Sequence, residues 1–181
     1  MKIGDPNVCN DEGMTPLHHA IFGEHFHIVE YMVGTGCDVN FPDIDGWTPL
    51  HCAASCNDLK MCEFLVENGA CVHSTTSDDQ QLPSEKCDEV ERGYEETKNY
   101  LLKIEAEVGL ANNGLVYALY DYTDPESSDE LTYISGDCLV VLRRGDDVET
   151  EWWWCCLESR EGYVARNLVG MYPRVTPLAL Q

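Results

Sequence analysis

Basic residues are scarce in this chain. Its 181 residues hold 11 Lys and Arg against 33 Asp and Glu, a formal charge of -22. So acidic a molecule repels phosphate backbones and anionic lipid, which argues against nucleic-acid or membrane partners and for basic ones. No run reaches the roughly 18 consecutive apolar residues of a membrane-spanning helix. The opening Met1-Lys2-Ile3-Gly4-Asp5-Pro6 is polar and turn-like, with no apolar signal core. The ten cysteines therefore read as reduced thiols, and the expected compartments are cytoplasm and nucleus. A phosphate-cradling glycine loop, a His-Glu-x-x-His pair and a nucleophile elbow are all missing, so neither an enzyme nor a cofactor is expected. Cys52 and Cys56 stand one helical turn apart without two further thiols at finger-like spacing, which argues against a zinc or redox protein. His51 and Cys52 are adjacent and would point apart on a helix, which speaks against a Cys–His nucleophile.

What the chain does have is internal repetition. At a shift of 33, Gly13-Met14-Thr15-Pro16-Leu17-His18 falls on Gly46-Trp47-Thr48-Pro49-Leu50-His51. The match runs on without a gap through Ala20 and Ala53, the 28–33 and 61–66 segments, Gly36 and Gly69, and Val39 and Val72. A period of 33 carrying Thr-Pro-Leu-His resembles the ankyrin signature. Thr caps a helix whose first turn holds Pro, where the missing N–H costs nothing. Leu17, Ala20 and Ile21 supply one apolar face, and Ile28, Val29, Met32 and Val33 supply the next. Gly36 and Gly69 stand where a left-handed C-cap is needed, and His18 and His51 are expected to link neighbouring loops. Trp47, at a turn position usually held by a polar residue, is either a packing lid or an exposed contact.

Each helix pair buries its stripe only against a neighbour. Asp5 and Asn7 fall on Asp38 and Asn40, so 1–10 reads as the remnant of a preceding repeat, followed by repeats at 11–43 and 44–76. That register leaves the first repeat without its upstream neighbour and predicts an uncovered apolar face or a frayed start. At 77–108 the same shift finds no Gly, Thr or His at 77–81, but two helices are expected at 85–92 and 94–108, the second with Tyr94, Tyr100, Leu101, Ile104 and Val108 as its stripe. A polar, degenerate unit suits a capping repeat.

After a short linker at 109–114 the pattern changes to period two and to β-formers over 115–175, with a tail at 176–181. Trp152-Trp153-Trp154 lies in the richest of these segments. Strand alternation puts Trp152 and Trp154 on one face and Trp153 on the other, so at least one indole reaches a surface. Cys155 and Cys156 are read as small hydrophobes. Ala118-Leu119-Tyr120-Asp121-Tyr122, Asp129-Glu130-Leu131-Thr132-Tyr133, Gly136-Asp137, Trp152-Trp153 and Gly162-Tyr163-Val164 resemble, in order, the five markers of an SH3 domain. The expected fold is multi-domain α + β: an α-helical ankyrin-repeat stack followed by a small all-β SH3 barrel. SH3 grooves hold polyproline helices between aromatic walls, with acids selecting a basic ligand residue. Ala165 and Leu168 stand where the family commonly has Pro and Tyr, which should weaken ordinary Pro-x-x-Pro binding.

Ankyrin repeats running straight into an SH3 domain, with Glu149-Thr150-Glu151-Trp152-Trp153-Trp154 and Tyr172-Pro173-Arg174-Val175, resemble the C-terminal half of the apoptosis-stimulating ASPP family. The resemblance implies a non-enzymatic regulator of apoptosis that binds the DNA-binding domain of the p-fifty-three tumour suppressor, with Bcl-2-type, Rel-type and phosphatase 1 proteins as further partners. It also implies four repeats before the SH3 domain, one more than is seen here. On that model Trp152 is the aromatic anchor, with Tyr120, Tyr122, Asn167 and Leu168 in the groove. Trp153 and Trp154 serve mainly as barrel cover. Asp124, Glu126, Asp129 and Glu130 of one loop and Asp146, Asp147, Glu149 and Glu151 of another would meet arginine and lysine, and Ser77, Asp78 and Asp79 would complete the face from the repeats. The alternative is an SH3/ankyrin adaptor for proline-rich peptides or phosphatase 1. Arg174-Val175-Thr176-Pro177 begins like the phosphatase anchor but ends in Pro, so it is not counted.

Overall fold

The computed structural model describes residues 5–145 and 148–175, so Asp146 and Asp147 lie outside the described residues. Thr15 and Thr48 hold extended backbone ahead of Pro16 and Pro49, and each starts a short helix: α1, Pro16–Phe22, and α3, Pro49–Ser55. Each is followed by an antiparallel partner, α2, Phe26–Gly34, and α4, Leu59–Glu67. The Thr15 and Thr48 backbone N–H groups donate to Nδ1 of His18 and His51, both at 3.1 Å. A ring nitrogen that accepts leaves the proton on the other, so Nε2 donates across the stack to the carbonyls of Trp47 and Gln81, again at 3.1 Å. Repeat-to-repeat contacts recur in the same way at the asparagines. Asn7 Oδ1 accepts from Asp38 N–H at 2.8 Å, and Asn40 Oδ1 accepts from Cys71 N–H at 2.7 Å. Gly36 and Gly69 hold positive φ, as the helix ends require. Val29 and Val33 are buried, whereas Ile28, expected in the same stripe, is 50% exposed.

The third unit departs from the expected register. Gln81 takes the place of Trp47 one residue later than a shift of 33 allows, and Leu82-Pro83 replaces Thr48-Pro49. Glu85 Oε2 then accepts from Leu82 N–H at 2.8 Å, taking over the capping bond that the histidines' Nδ1 atoms accept in the other turns. The helix expected over 85–92 is absent, and a single 3-10 turn, Pro83–Lys86, stands in its place. The segment offers too little apolar surface to bury: Cys87 is inside, but Val90 is 91% exposed. The side-chain amide of Asn57 holds this loop instead, donating to the Asp88 carbonyl at 2.8 Å and accepting from Asp88 N–H at 3.1 Å. Helix α5, Tyr94–Glu107, closes the stack with Leu101 and Ile104 buried, and the Thr97 hydroxyl donates to the Asn57 carbonyl at 2.9 Å.

A turn at Ala111–Gly114 leads into the barrel, with Asn112 (φ 51°, ψ 39°) and Asn113 (φ 59°, ψ 34°) left-handed. Among the described residues five antiparallel strands follow: β1, Leu115–Ala118; β2, Cys138–Arg143; β3, Trp152–Leu157; β4, Arg160–Ala165; and β5, Val169–Gly170. Their order is β4-β3-β2-β1-β5, and β5, which the sequence pattern does not announce, follows a 3-10 turn at Arg166–Leu168. Alternation along β3 places Trp153 inside, 2% exposed, and leaves Trp152 and Trp154 half-buried on the other face. Cys155 is buried and Cys156 half-buried.

Three histidines, His18, His51 and His73, are buried and held below their ordinary pKa of 6.5, first by loss of hydration. His51 is lowered to about 4 and His73 to about 3, where Arg166 and Arg144 add repulsion. The unfolded chain binds these protons first, so their contribution is present above pH 6.5 and is lost as the pH falls toward the folded values. For His51 alone the loss is on the order of 3 kcal/mol. Urea unfolding should therefore show the chain less stable at pH 5 than at pH 7, and equal stability at the two would contradict buried neutral histidines.

Candidate partner-binding face

Trp152 stands on the outer face of β3, opposite Ala165. With Asp129 and Glu130 of the loop after β1, Glu149 of the loop before β3 and Tyr163 of β4, it lines a cavity of about 280 Å³. Backbone bonds fix this gathering. Tyr163 N–H donates to the Asp129 carbonyl at 2.8 Å, and Leu131 N–H donates to the Tyr163 carbonyl at 2.9 Å, tying the first acidic loop to β4. The Tyr122 hydroxyl donates to Glu130 Oε2 at 2.6 Å and stacks its ring on Tyr133. Glu126 N–H reaches the same carboxylate oxygen at 2.9 Å. These donors, Tyr122 foremost, hold the Glu130 carboxyl below the usual carboxylate range, so it is fully ionised at neutral pH. An aromatic wall beside fixed carboxylates suits a desolvated cation, above all a planar guanidinium.

Tyr163 lines this candidate pocket although it is not among the site residues expected from the sequence. It belongs to the Gly-Tyr-Val marker, and its pairing with Trp154, two residues on from Trp152, puts it on the Trp152 side of the sheet. Trp154 meets Tyr163 edge-on at 4.9 Å and donates from Nε1 to Glu161 at 3.0 Å.

Other expected residues are placed differently. Glu151 is held by Arg166 in a two-pronged pair, 2.7 Å to Nη2 and 3.2 Å to Nε. Asp79 bonds Lys86 Nζ at 2.7 Å and accepts from the Thr76 hydroxyl. Lys86 also lies 4.8 Å over the Trp47 ring, which makes Trp47 a packing lid beneath the repeat tip. Asp78 is exposed at that tip, where its carboxylate accepts from Asp79 N–H. Asp124 and Glu126 are exposed on the first acidic loop. Tyr120, Asn167, Leu168 and Ser77 gather elsewhere, in a second cleft of about 460 Å³ between the repeat loops and the barrel.

Tyr120 departs furthest from the open-groove picture. Its hydroxyl donates to the Asn40 carbonyl at 3.4 Å, and the Arg174 guanidinium lies 5.2 Å over its ring. Arg174 in turn pairs with Asp38 at 3.0 Å and donates to the Leu119 carbonyl at 3.1 Å. The first tyrosine of the SH3 groove is thus engaged by the repeats and by the segment after β5.

Models of ankyrin repeats match residues 2–76 in three copies, and a model of the SH3 domain matches 117–165. Apoptosis-stimulating of p53 protein 2 from Homo sapiens is 49% identical over 176 residues, 97% of this chain and 16% of that protein. RelA-associated inhibitor from Mus musculus is 48% identical over 174 residues, 96% of this chain and 21% of that protein. The chain is an ankyrin–SH3 module of the ASPP family. Breast cancer anti-estrogen resistance protein 1 from Rattus norvegicus is more distant, 34% identical over 111 residues that make up 59% of this chain and 11% of that protein. The ASPP-family chain spans less than a quarter of the length of the curated relatives it matches. Both of its modules are of non-enzymatic, protein-binding type.

Replacing the Tyr122 hydroxyl tests the pocket's electrostatics. In Tyr122→Phe the Glu130 titration midpoint, read by side-chain carboxyl NMR, should rise toward that of an ordinary glutamate. An unchanged midpoint would show that the hydroxyl does not hold the carboxylate.

Proposed function

We propose that this module regulates apoptosis by binding a basic, folded domain of a transcription factor through the Trp152 pocket and the adjacent repeat tip. The observation that carries this reading is the gathering of Asp129, Glu130 and Glu149 around Trp152 and Tyr163 in one cavity. A surface that holds DNA is basic, and carboxylates can occupy it where phosphates would lie. The relatives' names support the partner class, since one names p53 and the other RelA. The DNA-binding domain of p53 is therefore the partner we assign first, with Rel-type proteins next. An ordinary proline-rich ligand suits the site less well. It needs the Tyr120 wall, which is engaged by Asn40 and Arg174, and the proline and tyrosine positions replaced by Ala165 and Leu168.

The test is binding to the p53 DNA-binding domain. Trp152→Ala should leave the fold intact by circular dichroism yet weaken binding by about 2 kcal/mol, roughly thirtyfold. Added salt should weaken the wild-type complex as well. Affinity indifferent to both changes would sink this function, and tight binding of Pro-x-x-Pro peptides would favour an adaptor instead.

A further inference from the structure

Residues that fasten the barrel to the repeats are chain neighbours of residues in the candidate face. Trp153, which follows Trp152, meets His73 of the second repeat edge-on, with ring centroids 5.3 Å apart and planes at 80°. Arg144, which leads into the loop carrying Glu149, lies 5.0 Å over the same indole. Its guanidinium donates to the carbonyls of Ala106 at 2.9 Å and Glu105 at 3.3 Å, at the end of α5 where carbonyls lack helical partners. The Cys71 thiol donates to the carbonyls of Asn167 and Val169 at 3.4 and 3.5 Å. The linker adds to the enclosure, since a Cβ at Gly109 would stand 2.9 Å from Trp153 Cζ3.

We propose that His73 and Trp153 are positioning residues that hold the Trp152 pocket at a fixed separation from the repeat tip, and so raise the affinity for a folded partner that touches both. This rests on the function proposed above. Neither residue needs to touch the partner: Trp153 is 2% and His73 3% exposed. Their effect is entropic. Two surfaces already held in register bind a rigid partner without first being ordered, whereas loosely tethered ones lose that advantage. A ligand that fills the pocket alone gains nothing from the register, which separates positioning from simple support of the pocket.

His73→Ala removes the contact from the repeat side, and Trp153→Phe shortens it from the barrel side while keeping an aromatic core residue. Each is compared with wild type for binding the p53 DNA-binding domain and a tri-arginine peptide followed by the Trp152 indole NMR signal. Both variants should bind the domain about tenfold or more weakly and the peptide within about twofold of wild type. Calorimetry of the free proteins should show one unfolding transition for wild type and separated transitions for the variants. Equal domain binding by variants and wild type would overturn the positioning role while leaving the proposed function standing. Parallel loss of domain and peptide binding would also overturn it, by showing damage to the pocket itself. A wild-type protein that binds the peptide but not the domain would overturn the proposed function and this inference with it.

Discussion

Trp153 is the residue on which the arrangement of the two modules turns. Strand alternation sends it to the opposite face of β3 from Trp152, where its indole packs into the core and against the repeats. His73 meets the indole from the repeats, and Arg144 lies over the same ring while bonding carbonyls at the end of α5. Gly109 can approach the ring because it has no side chain, and left-handed Asn112 and Asn113 let the chain reverse within a few residues. The ankyrin stack and the barrel thus share a core element, the Trp153 indole, and on the proposal above that contact sets the faces offered to a partner.

Electrostatics works within that frame. A chain of -22 net charge cannot discriminate by acidity alone, and much of the detail lies in which carboxylates are matched internally. Glu151 pairs with Arg166, Asp79 with Lys86, and Asp38 with Arg174, and each pair shapes a loop or a joint. Around Trp152, by contrast, Glu130 is held ionised by a hydroxyl and a backbone N–H, so its charge is fixed in place without a cation to cancel it in that contact. On the proposed function, a basic partner would bring a cation to Glu130 beside the Trp152 and Tyr163 rings.

Much of the architecture could be read from the chain, because repeats and barrel are written in local patterns. Thr15-Pro16 and Thr48-Pro49 announce helix starts, His18 and His51 link the loops as expected, and the alternation at Trp152-Trp153-Trp154 gives the correct faces. What escaped depends on contacts far apart in sequence. A one-residue insertion before Leu82 hides the third turn from a fixed shift of 33, and Glu85 there accepts the capping bond that a histidine accepts in the other turns. The 85–92 segment has the charge of an exposed helix but no stripe to hold one in place, so the Asn57 amide orders it instead. Tyr120 belongs to the groove by motif and to the joint by geometry, a distinction made by Asn40, 80 positions before it, and Arg174, 54 positions after it. Trp153, read as barrel cover, is the joint itself. Tyr163 was visible as a marker, yet its place beside Trp152 needs the cross-strand register.

The central claim is that the acid-lined pocket and the repeat tip belong to one rigid body. Residual dipolar couplings measured on backbone amides of the free wild-type protein address this most directly, because each rigid body reports its own alignment. A single alignment tensor that fits α1 to α5 and β1 to β5 together is the predicted result. Two tensors of clearly different magnitude or orientation, one for the repeats and one for the barrel, would contradict it.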